Sequence, residues 1–187
     1  MAATNTGAKL VYNLAGCTSG ILKIVRIYDS VTLTNGDFVK IDTNGFVALA
    51  TAGARIFGVV TGIVDNVGTD IENTKQTTGA TYTPSTQTVV CASDNSSRTT
   101  GYVQAVIDID PFSVFSCEPD AAISTTTSSG SSDQLGSYTD LLDEDEVDEN
   151  NGGNAFNVVA QLFIWGVDPS DSTRGLYSIM ESQFLGG

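Results

Sequence analysis

The densest run of side chains able to do chemistry is Asp140, Asp143, Glu144, Asp145, Glu146, Asp148 and Glu149. Seven carboxylates within ten residues suggest a hard cation, because calcium takes several oxygen ligands at fixed loop positions. The spacing does not fit. A loop starting at Asp143 places Val147 at the fifth position and lacks the loop glycine. One starting at Asp148 places Val159 where a bidentate glutamate is needed. The run reads instead as a solvated acidic loop, or as a contact for a basic patch on a partner. Two closer pairs, Asp108 with Asp110 and Glu118 with Asp120, could serve as acid and base if they shared a face. Each pair abuts a proline, Pro111 or Pro119, and turn-forming aspartates beside proline explain them more simply.

The rest of the composition narrows the chemistry further. The chain has no histidine, which removes the commonest general base near neutral pH. Ser-His-Asp and Cys-His nucleophiles are excluded with it. The glycine-rich segments lack the Lys-Ser/Thr that follows a phosphate loop. Cys17, Cys91 and Cys117 are far apart and odd in number, so they read as small buried hydrophobes rather than a disulfide framework or a zinc site. The expectation is a protein with no catalytic residues, no metal and no cofactor. Net charge is −14, from 22 acidic and 8 basic residues. Such a surface repels phosphate backbones and anionic lipid head groups, so neither nucleic acid nor a membrane is expected as partner. No apolar run is long enough for a membrane span, and the first ten residues hold no stretch of signal-peptide length. Asn95-Ser96-Ser97 matches a glycosylation acceptor but gains no weight without such a signal.

The elements that must position any site are strands. Thr, Ser, Gly and Asn abound, and Lys, Glu, Leu and Arg are scarce, which disfavours helix and favours strand and turn. Short apolar runs bounded by turn residues predict strands at 9–14, 22–28, 38–41, 46–49, 56–64, 88–92, 103–109, 114–117, 156–165 and 177–183. Two stretches, 65–86 and 118–153, read as long irregular loops. The expectation is one all-β domain over 1–187, a small β-barrel or β-sandwich, or a β-core with an acidic Ser/Thr-rich insertion at about 118–153.

Local register can be argued at Thr34–Ala50, where Thr-Asn-Gly occurs twice. A two-residue turn at Asn44-Gly45 would pair Ile41 with Ala48. A three-residue turn, Thr43-Asn44-Gly45, pairs Ile41 with Val47 and Val39 with Leu49, which gathers the aliphatics on one face. Gly45 supplies the left-handed residue that the longer turn needs. Phe38 then lies on the opposite face with Lys40 and Asp42, where it would cover a neighbouring strand or a partner subunit. In the next strand Gly58 and Gly62 lie four apart, which suits a bulge or bend, or a close approach by another backbone. Trp165 sits in an apolar run, as a core residue or as an interface anchor.

The segment Gly36-Asp37-Phe38-Val39-Lys40-Ile41-Asp42, then Gly45, Val47, Ala50, Ala52-Gly53 and Ile56-Phe57-Gly58-Val59-Val60, resembles one common in small capsid decoration (cement) proteins of tailed phages. A second stretch, from Gln104 through Asp108-Ile109-Asp110-Pro111 to Val114-Phe115, looks like a region of head proteins from marine and cyanobacterial phages. The resemblance implies a small barrel or sandwich. It also implies clustering as a homo-oligomer, expected to be a trimer, on the outer face of the virion capsid, after synthesis in the host cytoplasm. Its partner would be the major capsid protein, whose neighbouring subunits it would bridge. Phe38 and Trp165 are the candidate protein-contact residues. The alternative expectation is a phage fibre or host-receptor-binding β module, and a carboxylate glycosidase comes last, because the chain has one Trp to line a groove.

Overall fold

The structure is a computed structural model and describes residues 7–16, 20–66, 76–77, 79–86, 88–123, 134–148 and 161–180. Among these the protein is all-β. The strands are β1 (Lys9–Asn13), β2 (Leu22–Arg26), β3 (Thr32–Thr34), β4 (Phe38–Ile41), β5 (Val47–Leu49), β6 (Gly58–Asp65), β7 (Gln76–Thr77) and β8 (Ala80–Thr83). They continue with β9 (Thr88–Cys91), β10 (Val103–Asp108), β11 (Ser113–Pro119), β12 (Tyr138–Leu141), β13 (Glu146–Asp148), β14 (Leu162–Asp168) and β15 (Asp171–Ile179).

They form three sheets. One has the order β2-β10-β6-β4-β5, another β3-β9-β8-β7, and the third β1-β11-β13-β12-β14-β15. In the third, β11 also pairs with β15, so β11, β13, β12, β14 and β15 curl into a ring with β1 laid outside it. The five-stranded sheet is spanned as well, by one parallel bridge between Ile27 and Val47.

The β4–β5 hairpin adopts the register that gathers its aliphatics: Val39 faces Leu49 and Ile41 faces Val47. Gly45 has φ +85°, a left-handed backbone that side chains rarely adopt. Asp42 caps the turn by accepting the Asn44 and Phe46 N–H groups at 2.9 and 2.8 Å.

Strand alternation sends consecutive residues of this sheet to opposite sides. Val39 and Val60 join Ile27, Leu33, Val89 and Ile107 in a core against the four-stranded sheet. Phe38 and Val59 join Phe115, Leu141, Leu162, Ile164 and Tyr177 in the core of the ring. Phe38 is fully buried and meets Phe115 edge to face at 6.4 Å. It is therefore not a partner contact: of the two roles open to it, the one inside the chain is observed. Gln161, also buried, ties the 51–54 turn to the ring. Its side-chain carbonyl accepts the Leu141 N–H at 2.8 Å, and its amide donates to the Thr51 and Ala54 carbonyls.

Gly58 marks a close approach of backbone, because a Cβ there would sit 2.2 Å from the Asp108 carbonyl oxygen. Gly62 has no such neighbour, and the bulge between β6 and β10 falls between the two glycines. The expected loops are corrected in part. The stretch 65–86 contains β7 and β8, and 118–153 contains β12 and β13, which complete the ring. The predicted strand residues 156–160 and 181–183 lie outside the described residues.

One carboxylate sits at the junction of the two cores. Asp37 is buried, accepts the Thr34 N–H at 2.7 Å, and precedes the Phe38 N–H, which donates to the Glu144 carbonyl at 2.7 Å. Burial pushes its carboxyl up from 3.8 to about 7. The Thr34 N–H opposes that shift, and Asp145 and Asp143 add to it. Because the folded value lies above the unfolded one, ionising Asp37 costs stability. That cost is absent at low pH, grows as pH rises from about 4, and is complete above about 7.

Two predictions follow from this junction. Phe38→Ala should lower unfolding free energy by about 3–5 kcal/mol in urea titrations, the range for truncating a buried aromatic. In thermal melts across pH, Asp37→Asn should be neutral or slightly destabilising near pH 4 and stabilising above pH 7, with the difference opening across that window.

Candidate interaction surface

The sites suggested by carboxylate spacing resolve into structure. Asp108 and Asp110 build the turn between β10 and β11. Asp108 accepts the Asp110 N–H at 2.9 Å and the Ser113 hydroxyl at 2.8 Å. Asp110 accepts the Phe112 N–H at 2.9 Å and the Asn13 side-chain amide at 2.8 Å. Both are buried, and burial raises the Asp108 carboxyl despite those donors. Gly20 lies over Asp108, where a Cβ would stand 2.1 Å from the carboxylate oxygen. Both side chains are engaged in the hydrogen bonds that build this turn.

Glu118 and Asp120 line a cleft of about 330 Å³ with Ile123, Val167, Thr173 and Arg174. The Arg174 guanidinium is buried and donates to the Gly7 and Ser116 carbonyls at 2.6 and 2.7 Å, so it is committed to the fold. Among the described residues no group of His, Cys, Asp or Glu is arranged to hold a metal. The acidic run is divided between strand and turn: Glu146 and Asp148 lie in β13, and Glu149 lies outside the described residues. Burial raises the Glu146 carboxyl, and the charges of Asp120, Asp145, Glu118 and Asp143 raise it further.

Cys91 and Cys117 are buried, and burial pushes both thiols up to about 12, which makes them inert at neutral pH. Cys17 lies outside the described residues. Asn95 is fully buried with its amide bonded to Ile27 and Val103. A glycan has no access to it.

What stands out is apolar surface on two edge strands. β1 and β2 are terminal strands in their respective sheets. β1 runs antiparallel to β11 and β2 antiparallel to β10, so together they lie as one strap along the consecutive strands β10 and β11, which belong to different sheets. Backbone bonds extend the pairing toward the turn: the Leu14 N–H donates to the Phe112 carbonyl, and the Ile109 N–H to the Ile21 carbonyl, both at 2.8 Å. Asn13 clamps the strap to Asp110.

Along it Leu10, Val11, Tyr12 and Leu14 are exposed, followed by Ile21, Leu22 and Ile24, the last at 56%. Phe112, in the turn, is exposed beside them. On β1 four consecutive residues, Lys9 to Tyr12, are exposed, so both faces of the strand are open. Eight of the fourteen exposed large apolar side chains of the described molecule belong to this strap and its turn, so they are concentrated there rather than scattered.

Trp165 lies on the outside of the ring, not in a core, and is 43% exposed. Its indole N–H donates to the Ser178 hydroxyl at 3.0 Å, and its ring packs on Phe163, which packs on Tyr138. It stands on β14, separated from β1 by β15 and β11. The strands at 9–14 and 22–28 were legible from sequence, but their exposure was not. The signal for it was compositional: residues 1–28 contain no Asp or Glu. The chain matches no family model, no curated protein and no solved structure.

Proposed function

We propose that this chain is a capsid decoration protein that docks onto the outer surface of a phage head and stabilises the shell by bridging major capsid subunits. The observation that carries the reading is the β1–β2 strap, with apolar side chains open on the edges of two sheets. A free edge row of backbone donors and acceptors invites pairing with another chain, and proteins that stay monomeric blunt such edges. Here a bulge in β1 and the cations Lys9, Lys23 and Arg26 blunt the edge only in part, and large aliphatics and a tyrosine line the rest. Ring-paired Trp165 offers a second, smaller contact of the kind enriched in interfaces. The net charge supports protein rather than nucleic acid as the surface met. Clustering of copies on the lattice, as a trimer, belongs to the same reading.

The test is binding to preformed, expanded phage capsids, with heat resistance of the shell as the readout. The parent chain should bind and raise the temperature at which capsids rupture. Leu22→Thr with Ile24→Thr keeps strand propensity at exposed positions, so the fold should change by no more than about 0.5 kcal/mol. Capsid affinity should nonetheless fall by about tenfold or more. A chain that ignored capsids but bound host cells or glycans would instead be a receptor-binding module. A double variant that bound capsids like the parent would remove the strap from the reading.

A further inference from the structure

Charge is segregated along this chain. The first 28 residues hold three basic and no acidic side chains, and the remaining 159 hold five basic and 22 acidic. The three basic residues are Lys9 on β1 and Lys23 and Arg26 on β2, all on the strap. Lys9 and Lys23 are exposed, and neither has an ion-pair partner among the described residues. Arg26 lies 3.6 Å over the Tyr102 ring and donates to the Ser96 carbonyl, so its charge is held in place at the β2 end. The apolar edge is therefore also the cationic edge of a strongly acidic protein.

We infer that the strap recognises an acidic protein surface studded with apolar groups, and that it turns the acidic body of the chain away from that surface. The inference rests on the docking reading above and adds the partner's chemistry and the chain's orientation. Complementarity decides the occupant. Two straps laid against each other would set Lys9, Lys23 and Arg26 against their own copies, and like charges across a contact suppress association. A basic partner would be drawn to the acidic body instead. A carboxylate-bearing surface is attracted most at the strap, where three cations stand without a neighbouring acid in the first 28 residues, and is repelled by the acidic run of the body. Apolar side chains supply the contact, and the three cations supply its direction.

The sign of the salt dependence separates this from its rivals. At distances beyond about 8–10 Å exposed charges are screened at ordinary ionic strength, so low salt exposes whichever field dominates. The probe is a surface-plasmon chip carrying a mixed carboxylate- and methyl-terminated monolayer, with the full chain passed over it at neutral pH. Despite a net charge of −14 the chain should be retained at low ionic strength and released as salt rises. The Lys9→Glu, Lys23→Glu variant should bind about tenfold more weakly at low salt, a loss that salt then reduces. Asp120→Asn with Asp143→Asn, which removes two charges from the body at exposed positions and leaves the strap intact, should not weaken retention.

Retention that grew with salt, or that the lysine reversal left intact, would overturn the inference. So would self-association of the parent that the lysine reversal abolishes, since the strap's partner would then be a second copy. So would adsorption to phosphatidylserine vesicles without adsorption to the carboxylate monolayer. The capsid assay fails or succeeds separately. Capsid binding that neither salt nor the lysine reversal weakens sinks the charge argument and leaves the docking surface standing. Monolayer retention without capsid binding sinks the capsid and leaves the acidic partner.

Discussion

Phe38 and Val39 are neighbours in the chain and belong to different cores, and so do Val59 and Val60 on the strand beside them. This double burial of β4 and β6 is the constraint on which the rest of the molecule depends. A sheet with one wet face needs cover on one side only. A sheet buried on both faces at two adjacent strands must be covered twice. The four-stranded sheet closes one side, and the ring of β11 to β15 closes the other. Each cover is itself an incomplete body: the ring's core includes Phe38, Ala50, Ile56 and Val59, contributed from outside the ring. Neither layer would keep a dry interior without the other. The polar staples agree with this division. Gln161 fastens the turn after β5 to the ring, and the Phe38 N–H fastens the Asp143–Glu146 turn to β4.

The same junction explains why an acid is buried in a protein that already carries excess negative charge. Asp37 gives its carboxylate to the Thr34 N–H, and its backbone carbonyl accepts the Val60 N–H at 2.9 Å. Gly36 beside it, at φ +102°, lies against Gly7 and donates to the Val60 carbonyl. The chain thus makes a tight corner where it passes from β3 into the doubly buried β4. A capped turn is worth a hydrogen bond, and an ionised buried carboxyl costs more than a neutral one. The position is a compromise whose balance depends on pH.

Much of this was legible in the sequence, for identifiable reasons. All ten expected strands overlap strands that the structure pairs, the last two within their described residues, and the β4–β5 register followed from a single argument about which face the aliphatics share. The face of Phe38 was right as well. What covers that face was not legible, because a two-residue period reports sides and never neighbours. β12 and β13 were read as loop because their inward positions are few: Thr139 and Leu141 on one, Val147 on the other, set among acids and hydroxyls. β3 and β8 hide the same way, with threonine outnumbering the aliphatics that face the core. Such strands exist because the ring and the second sheet need closing, and closure is a property of the whole chain. The candidate surface was missed for the opposite reason. Its residues are apolar enough to be read as core, and only their place at the edge of two sheets leaves them wet.

That placement has a consequence for what selection on stability alone would have left behind. Exposed edge strands are normally shielded by charge, proline or a bulge. β1 has a bulge between Leu10 and Tyr12 and a lysine at its start, so its edge is partly protected. Yet Leu10, Val11 and Tyr12 present apolar groups on both faces, and no fold requirement asks for that. Replacing an exposed aliphatic with threonine would keep the strand and its hydrogen bonds while removing an aggregation hazard. The strap is also anchored more firmly than a dispensable extension needs: Asn13 is clamped to Asp110, Gly20 is fitted over Asp108, and the Ala8 N–H is bonded to Gly36. A rigid, well-anchored and wet apolar edge is costly to the isolated chain in solubility and gives it nothing in return. In the proposed docking a second surface covers this edge and offsets that cost.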